Sequence, residues 1–325
     1  MRPAFVPLSA LAIFVGGCVG DISDGDDDDD DDDVTVADAG PGDDTDADPN
    51  APDGGGVQAF CYQEDGDPTA DISDLVAAYG GSNWKDELIE AMDRRHPATG
   101  FLLDEQRNDS YFSQFSDSSS WTGMVGWLDT LSHEETHLFN AYHAADVGEA
   151  AAIYARPDLI FYLPADDTFG RAEIYDDLAA APRDGIYAPT YLTGSQGQRG
   201  FNALLDELSC YLNEMAAVGL VGEYFSGGVS LRDGSVAFLY FMQVYLRVAR
   251  TEYPDVYDDL KSQEAYRDVV FMLWLRTHYF LEFADEFPSL GISDAMYRSH
   301  MYEPANLAEI EMFTGHAVGD SSCEL

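Results

Sequence analysis

The sequence predicts a mainly α-helical fold with a small β-sheet, an α+β arrangement. Hydrophobic residues make up 46% of the 325-residue chain and aromatic residues 13%, which is enough to bury a sizeable core. Apolar residues recur at helical spacing in several long segments, whereas only two short runs are typical of β-strands. No second linker and no internal repeat follows residue 61, so we expect one domain over residues 57–325.

The first 17 residues are typical of an export signal. A short apolar stretch, Ala4–Val15, is followed by Gly16-Gly17 and then by Cys18. The stretch is shorter than the roughly 20 residues that cross a bilayer, and small residues precede the expected cleavage point. The sequence Val15-Gly16-Gly17-Cys18 also resembles the bacterial lipobox. We therefore expect residues 1–17 to be a lipoprotein signal peptide and Cys18 to be lipidated, with an ordinary signal peptide as the alternative.

Residues 18–56 predict an acidic, disordered tether. Sixteen acidic residues and no Lys or Arg lie between Asp21 and Asp53, including eight consecutive aspartates at 26–33. Like charges this dense repel and extend the chain. The tether would hold an exported bacterial lipoprotein at the outer membrane, on its periplasmic face or at the cell surface. Weak calcium binding or a surface-export signal is the functional alternative to a simple spacer.

Charge and cysteine content narrow the function further. The formal net charge of -45 repels phosphate backbones, so we expect no nucleic-acid partner. With Cys18 lipidated, Cys61, Cys210 and Cys323 remain, and their odd number leaves one thiol unpaired. A disulfide between Cys61 and Cys323 at the two ends of the domain is our expectation, although spacing does not fix the pairing.

The first elements of the domain are predicted from caps and breakers. Ser82-Asn83 precedes apolar residues at helical spacing, and Pro97 and Gly100 are expected to close that helix. A second helix is predicted to start near Thr122. Two β-like runs then follow, at Ala152–Tyr154 and Leu159–Leu163, and suggest a hairpin.

Three long helices are predicted in the second half of the domain. They cover roughly Gly200–Val218, Ser235–Arg250 and Tyr266–Phe283. The last two are apolar almost all round, which favours burial in the core over exposure. The apolar run at 269–275 is too short to span a bilayer before Arg276.

The motif His133-Glu134-Glu135-Thr136-His137 lies on the helix that is predicted to start near Thr122. Two histidines four residues apart occupy one helical face, so both imidazoles can reach a single ion. Zinc accepts imidazole nitrogen and keeps an open position for water in catalytic sites. Glu134 is turned about 100° from His133, where it can accept a proton as a general base. Six apolar residues are expected on the opposite side of this helix, packed against a helical core: Met124, Trp127, Leu128, Leu131, Leu138 and Tyr142.

This motif resembles the active-site motif of the zincin metallopeptidases. The resemblance covers these five residues and the helix pattern around them. It implies a zincin-like fold and a zinc-dependent peptidase, with His133 and His137 as ligands, Glu134 as general base and a peptide or protein as substrate.

The third zinc ligand has three candidates. Glu207, on the helix that opens near residue 201, would be a glutamate on a later helix, as in gluzincins. It lies at the edge of an apolar stripe, where a half-buried carboxylate needs a partner. His143 would complete a metzincin-like pattern, with Asn140 in place of the glycine that lets the chain turn, whereas a continuous helix would carry His143 away from the pair. Glu214, two turns after Glu207, is the fallback. Asp206 is expected to point outward.

Three further residues are candidates for supporting roles. Asp129, one turn before His133, is expected to orient that imidazole. Tyr211 is a candidate for holding a ligand or an oxyanion, and His278 for stabilising a transition state. A core position with a satisfied polar group is the alternative for Tyr211 and His278.

Together these features predict a membrane-anchored zinc metallopeptidase. The alternative is a non-enzymatic surface lipoprotein that binds a partner or a glycan, with a structural or vestigial metal site. A closed site with four protein ligands would favour that alternative.

Overall fold

This computed structural model describes residues 62–109, 112–225 and 230–318, all within one unit, Val57–Leu325. The predicted signal peptide, Cys18, the tether, Cys61 and Cys323 lie outside the described residues. Within the described part, the chain is mainly helical with one two-stranded sheet, as the sequence predicts.

Fourteen α-helices form the described part of the domain. They are α1 (Ser73–Ala78), α2 (Trp84–Arg95), α3 (Pro97–Gln106), α4 (Trp121–Val125), α5 (Leu128–Val147), α6 (Ala180–Arg183), α7 (Tyr187–Tyr191), α8 (Gly194–Gly197), α9 (Phe201–Gly219), α10 (Leu231–Glu252), α11 (Pro254–Ser262), α12 (Glu264–Asp285), α13 (Asp294–Met301) and α14 (Pro304–Thr314). Short 3₁₀ helices lie at Arg171–Asp177, Gly222–Tyr224 and Pro288–Leu290.

The predicted hairpin is confirmed. Strands β1 (Ala151–Arg156) and β2 (Leu159–Leu163) pair antiparallel, with Ala152 opposite Tyr162. β1 packs on both α5 and α9, so the hairpin contacts the two helices together.

Helix α9 is the centre of the fold. It packs against α5, α10 and α12, and 16 of its 19 residues are buried. Most are apolar, but the buried set also includes Glu207 and Glu214. A carboxylate on a buried helix is costly unless it finds partners, so these two glutamates are expected to have polar neighbours.

Side chains from a distant segment cap the start of α9. Asp166 accepts a hydrogen bond from the Asn202 backbone N–H at 2.7 Å, and the Thr168 hydroxyl accepts one from Phe201 at 3.0 Å. A Cβ on Gly200 would lie 2.4 Å from Thr168 Oγ1, so glycine permits this approach. The loop after β2 thereby fixes where α9 begins.

The structure corrects the expected end of the first helix. Pro97 begins α3 instead of only stopping α2, because proline is well suited to the first turn of a helix. Gly100 lies inside α3, where a Cβ would lie 2.0 Å from Asp93 Oδ1. Glycine therefore serves the close packing of α2 and α3 there.

The apolar side of α5 is also narrower than predicted. Leu128 and Leu131 are buried, but Trp127 precedes the helix and is 42% exposed, and Tyr142 is 50% exposed.

Among the described residues, none of the helices combines the length and the apolar character that crossing a bilayer requires.

Candidate metal centre

Helix α5 presents the histidine pair to α9. The helix runs without a break from Leu128 to Val147 and ends at Gly148, which adopts the left-handed conformation (φ 76°) of a common C-terminal cap. His133 and His137 lie one turn apart, with ring centroids 5.0 Å apart. His133 is buried and His137 is half-buried, so the pair faces a helix interface and not bulk solvent.

Each histidine has a carboxylate from α9 at its Nδ1 atom. His133 Nδ1 lies 3.0 Å from Glu214 Oε2, and His137 Nδ1 lies 2.7 Å from Asp206 Oδ2. A histidine that binds a metal through Nε2 carries its proton on Nδ1 and donates it to such an acceptor. The two carboxylates therefore suit the tautomer that leaves both Nε2 lone pairs available.

The two Nε2 atoms converge on Glu207. Glu207 Oε2 lies 3.8 Å from His133 Nε2 and 3.7 Å from His137 Nε2. These distances exceed a hydrogen bond, whereas two donors on one tetrahedral zinc ion lie roughly 3.3 Å apart. The first-choice third ligand is thus brought close to both imidazoles of the histidine pair.

Two other carboxylates of α9 lie where the sequence analysis did not expect them. Glu214, the fallback ligand, lies on the Nδ1 side of His133, and so occupies an orienting position instead. Asp206 does not point outward: it bonds His137 and is itself held by Asn140, whose Nδ2 donates to Asp206 Oδ1 at 2.8 Å. Asn140 Oδ1 accepts from the Tyr154 backbone N–H at 2.9 Å, which ties β1 to the same cluster.

Two buried carboxylates between α5 and α9 have pKa values that are shifted far from their usual range. Burial, together with Asp129 and Glu134, raises the pKa of Glu214 well above its usual range. Burial also raises the pKa of Glu207, but His137 and Arg171 outweigh it and lower that pKa to about 2.

The pKa values of His133 and His137 are shifted in opposite directions. Burial and the neighbouring His137 lower the pKa of His133. Burial would lower the pKa of His137 as well, yet Cys210 and Asp206 beside the ring raise it well above its usual range. The raised pKa values of Glu214 and His137 are thus in keeping with nearby negative charge that a divalent cation would offset.

Cys210 adds a thiol to the same cluster. It is fully buried and forms no disulfide within the described part of the chain, and one ligand atom each from His133, His137 and Cys210 lie within 4.8 Å of one another. Two donor sets therefore overlap on the same histidines, one completed by Glu207 and one by Cys210. We favour Glu207, because both Nδ1 atoms are occupied by carboxylates and the Nε2 atoms face its oxygen.

The two glutamates between the histidines have different surroundings. Glu134 is half-buried and has no hydrogen-bond or ion-pair partner among the described residues, so its carboxylate is available to accept a proton. Glu135 points into the protein, is fully buried, and both of its carboxylate oxygens lack hydrogen-bond partners within the described ranges. Burial, with Asp109 nearby, raises its pKa to about 8.

The structure does not bring His143, Asp129 or His278 to the predicted roles. Because α5 is continuous, His143 lies beyond the pair and stacks on Phe139, with ring centroids 4.0 Å apart. Asp129 accepts from the Thr130 N–H at 2.6 Å, and Glu214 takes the expected place at His133. His278 bonds the Trp274 carbonyl at 2.8 Å, and its ring packs on Trp274 and Tyr302.

Tyr211 does lie at the centre. Its ring packs edge-on against His133, with centroids 4.6 Å apart, and its hydroxyl shares a 2.7 Å hydrogen bond with Tyr191. The hydroxyl is therefore already paired, as the core alternative for this residue anticipates.

Four residues of the centre were not predicted from the sequence to take part in it: Asp206, Asn140, Arg171 and Cys210. A usable signal existed for two of them. Asn140 lies three residues after His137, so it shares its face, and Cys210 lies three residues after Glu207. Arg171 lies in a short irregular segment, and only the tertiary fold brings it to α9.

A cavity of about 450 Å³ lies elsewhere, near Glu64, Pro97 and Arg156. None of its lining residues belongs to the centre.

Comparison with protein-family models, with curated proteins and with solved structures finds no match to this chain in any of the three.

Proposed function

We propose that this protein is a zinc-dependent metallohydrolase of zincin-like design, most suited to peptide bonds. The single observation that carries the proposal is the convergence of His133 Nε2, His137 Nε2 and Glu207 Oε2 at 3.7–3.8 Å, with a carboxylate behind each imidazole. Such an arrangement suits zinc because two imidazoles and one carboxylate leave a fourth position open.

In this proposal the three donors hold the ion while Glu214 and Asp206 orient the rings. When bound, zinc supplies a Lewis acid and lowers the pKa of a coordinated water molecule toward neutrality. Glu134 is the residue placed to accept a proton, because it flanks the histidine pair on α5 and has a free carboxylate. The Tyr211 ring limits how far His133 can rotate.

The setting of the enzyme remains as the sequence suggests. We propose an exported bacterial lipoprotein, held at the outer membrane through Cys18 and an acidic tether, that acts on peptides or proteins outside the cytoplasm. The surplus of acidic residues favours neutral or basic substrates over acidic ones.

A second candidate function rests on Cys210. If its thiolate joins His133, His137 and Glu207, four protein ligands close the site, as in structural zinc sites. The protein would then be a non-enzymatic surface lipoprotein stabilised by its metal.

The experiment combines metal content with turnover. We expect the full-length chain to hold about one zinc ion, measured by elemental mass spectrometry, and to cleave unstructured peptides, followed by mass spectrometry of the products. Glu134→Gln should keep the zinc and lose hydrolysis by a factor of roughly 10² or more. Glu149→Gln, an exposed change just beyond the same helix, is the matched control.

Two outcomes separate the candidates. Full activity in Glu134→Gln refutes the role of Glu134 as general base. Zinc content that falls in Cys210→Ser, with no turnover in the wild type, favours the closed structural site. Retained zinc in Cys210→Ser, with turnover, favours the open catalytic site.

A further inference from the structure

Arg171 brings a buried positive charge to Glu207. Its side chain has no solvent exposure, and Nη2 lies 3.7 Å from Glu207 Oε1, the oxygen that does not face the histidines. Among the ion pairs of the described residues, this is the one that Arg171 makes. A fully buried guanidinium with a single carboxylate neighbour is tied electrostatically to that carboxylate.

The guanidinium is held in place from three sides. Its Nε donates to the Gln196 carbonyl at 2.9 Å and its Nη2 to the Gln196 side chain at 2.7 Å, while Nη1 approaches the Ala203 carbonyl at 3.4 Å. Its charged carbon also lies 5.6 Å from the centre of the Tyr191 ring. These contacts fix the guanidinium independently of Glu207.

Two glycines allow the supporting segments to meet. A Cβ on Gly170 would lie 2.7 Å from the Gly197 carbonyl oxygen, and one on Gly197 would lie 2.8 Å from the Leu192 carbonyl oxygen. The 3₁₀ helix at Arg171–Asp177 therefore packs closely on α8. The irregular region between β2 and α9 thus places the Arg171 guanidinium beside Glu207.

The Arg171 guanidinium gives the two oxygens of Glu207 different neighbours. Oε1 faces Arg171, whereas Oε2 faces the two imidazoles. A carboxylate left free beside a zinc ion can bind through one oxygen or through both. A fixed guanidinium at Oε1 competes for that oxygen and favours binding through Oε2 alone.

We propose that Arg171 is a positioning residue that makes Glu207 a one-oxygen ligand and so keeps a further position at the metal open. This inference rests on the proposed metal site, and it assigns the open position to a residue outside the histidine motif. Arg171 acts through Glu207 and does not itself touch the metal.

The test compares Arg171→Met, which removes the charge, with Arg171→Lys, which keeps it. Cobalt(II) replaces zinc in the full-length chain, because its visible absorption falls when the number of ligands rises. Zinc affinity is measured by competition with a chromogenic chelator. Arg95→Met is the matched control, since Arg95 is also buried but pairs with Glu223 at 2.6 Å, outside the centre.

In Arg171→Met we expect cobalt absorption to fall by about half, because Glu207 gains a second contact. Zinc affinity should rise about tenfold, because a buried positive charge near the ion is removed. Arg171→Lys should stay close to the wild type, and Arg95→Met should change neither quantity. A purely structural role for Arg171 predicts weaker metal binding together with lost stability.

Unchanged absorption and affinity in Arg171→Met overturn the proposal, as does an equal change in Arg95→Met. If Arg171→Met does not fold, Gln196→Met removes the main support of the guanidinium and must lower the cobalt absorption; an unaltered spectrum overturns the proposal equally. Failure of the metal site itself is a distinct result, seen when the wild type binds no cobalt or when Glu207→Ala leaves binding intact.

Discussion

Replacing Glu135 by methionine should stabilise the protein, and increasingly so as the pH rises. Glu135 is fully buried on α5, and both of its oxygens lack hydrogen-bond partners among the described residues. Burial, assisted by Asp109 and opposed by Lys85, raises its pKa from 4.5 to about 8. Methionine has a similar volume and good helix propensity, and carries no group that titrates.

The magnitude follows from the difference between the folded and unfolded pKa values. Below pH 4.5 the carboxyl is protonated in both states and costs nothing through ionisation. Above it, the unfolded chain ionises while the folded chain does not, so stability falls by about 1.4 kcal/mol per pH unit until about pH 8. The loss amounts to about 3 kcal/mol at pH 7 and about 4 kcal/mol at pH 8.

Urea unfolding, followed by tryptophan fluorescence from pH 5 to pH 8 with a chelator present, measures this loss. The free energy of unfolding of Glu135→Met should diverge from that of the wild type as the pH rises. Glu149→Met, an exposed change, should show no such divergence. Parallel pH profiles for the wild type and Glu135→Met would refute an elevated pKa at this site.

Three further outcomes are expected. Glu64→Gln should destabilise the protein by about 3 kcal/mol at pH 7, because it breaks a buried two-point ion pair with Arg276 at 2.8 and 3.0 Å. Burial raises the pKa of Glu64, but Arg276 outweighs it and holds that pKa well below its usual range. The wild-type advantage should thus be complete above about pH 5 and shrink as the pH falls below about 4, which acid titration of both unfolding curves measures. Asp206→Asn should weaken zinc binding by roughly 10- to 100-fold, measured by chelator competition, since it removes the charged acceptor at His137 Nδ1. Zinc binding should release protons, because the pKa values of Glu214 and His137 are raised, and calorimetry in buffers of different ionisation enthalpy detects that release; no dependence on the buffer would contradict this.

The parts of the fold that depend on local periodicity could be predicted from the sequence. The hairpin and the helices α9, α10 and α12 follow from spacing and turn residues over short stretches. The ends of elements were harder, because Pro97 can stop one helix or begin the next. Gly100 also looks like a breaker until the packing of α2 on α3 is known.

The candidate site divides in the same way. His133 and His137 lie one turn apart on one helix, so the sequence alone shows their common face, which Glu134 flanks. Glu207 was indicated by its place at the edge of an apolar stripe. The partners of the histidines depend on how α5 and α9 face each other, which periodicity on one helix does not determine, and so Asp206 and Glu214 changed roles.

The most direct test of the central claim is an anomalous diffraction measurement at the zinc absorption edge on crystals of the full-length chain. The account predicts one strong peak between His133 Nε2, His137 Nε2 and Glu207 Oε2. It is contradicted if zinc-loaded crystals show no peak there, or if the peak lies on the Nδ1 side of either ring.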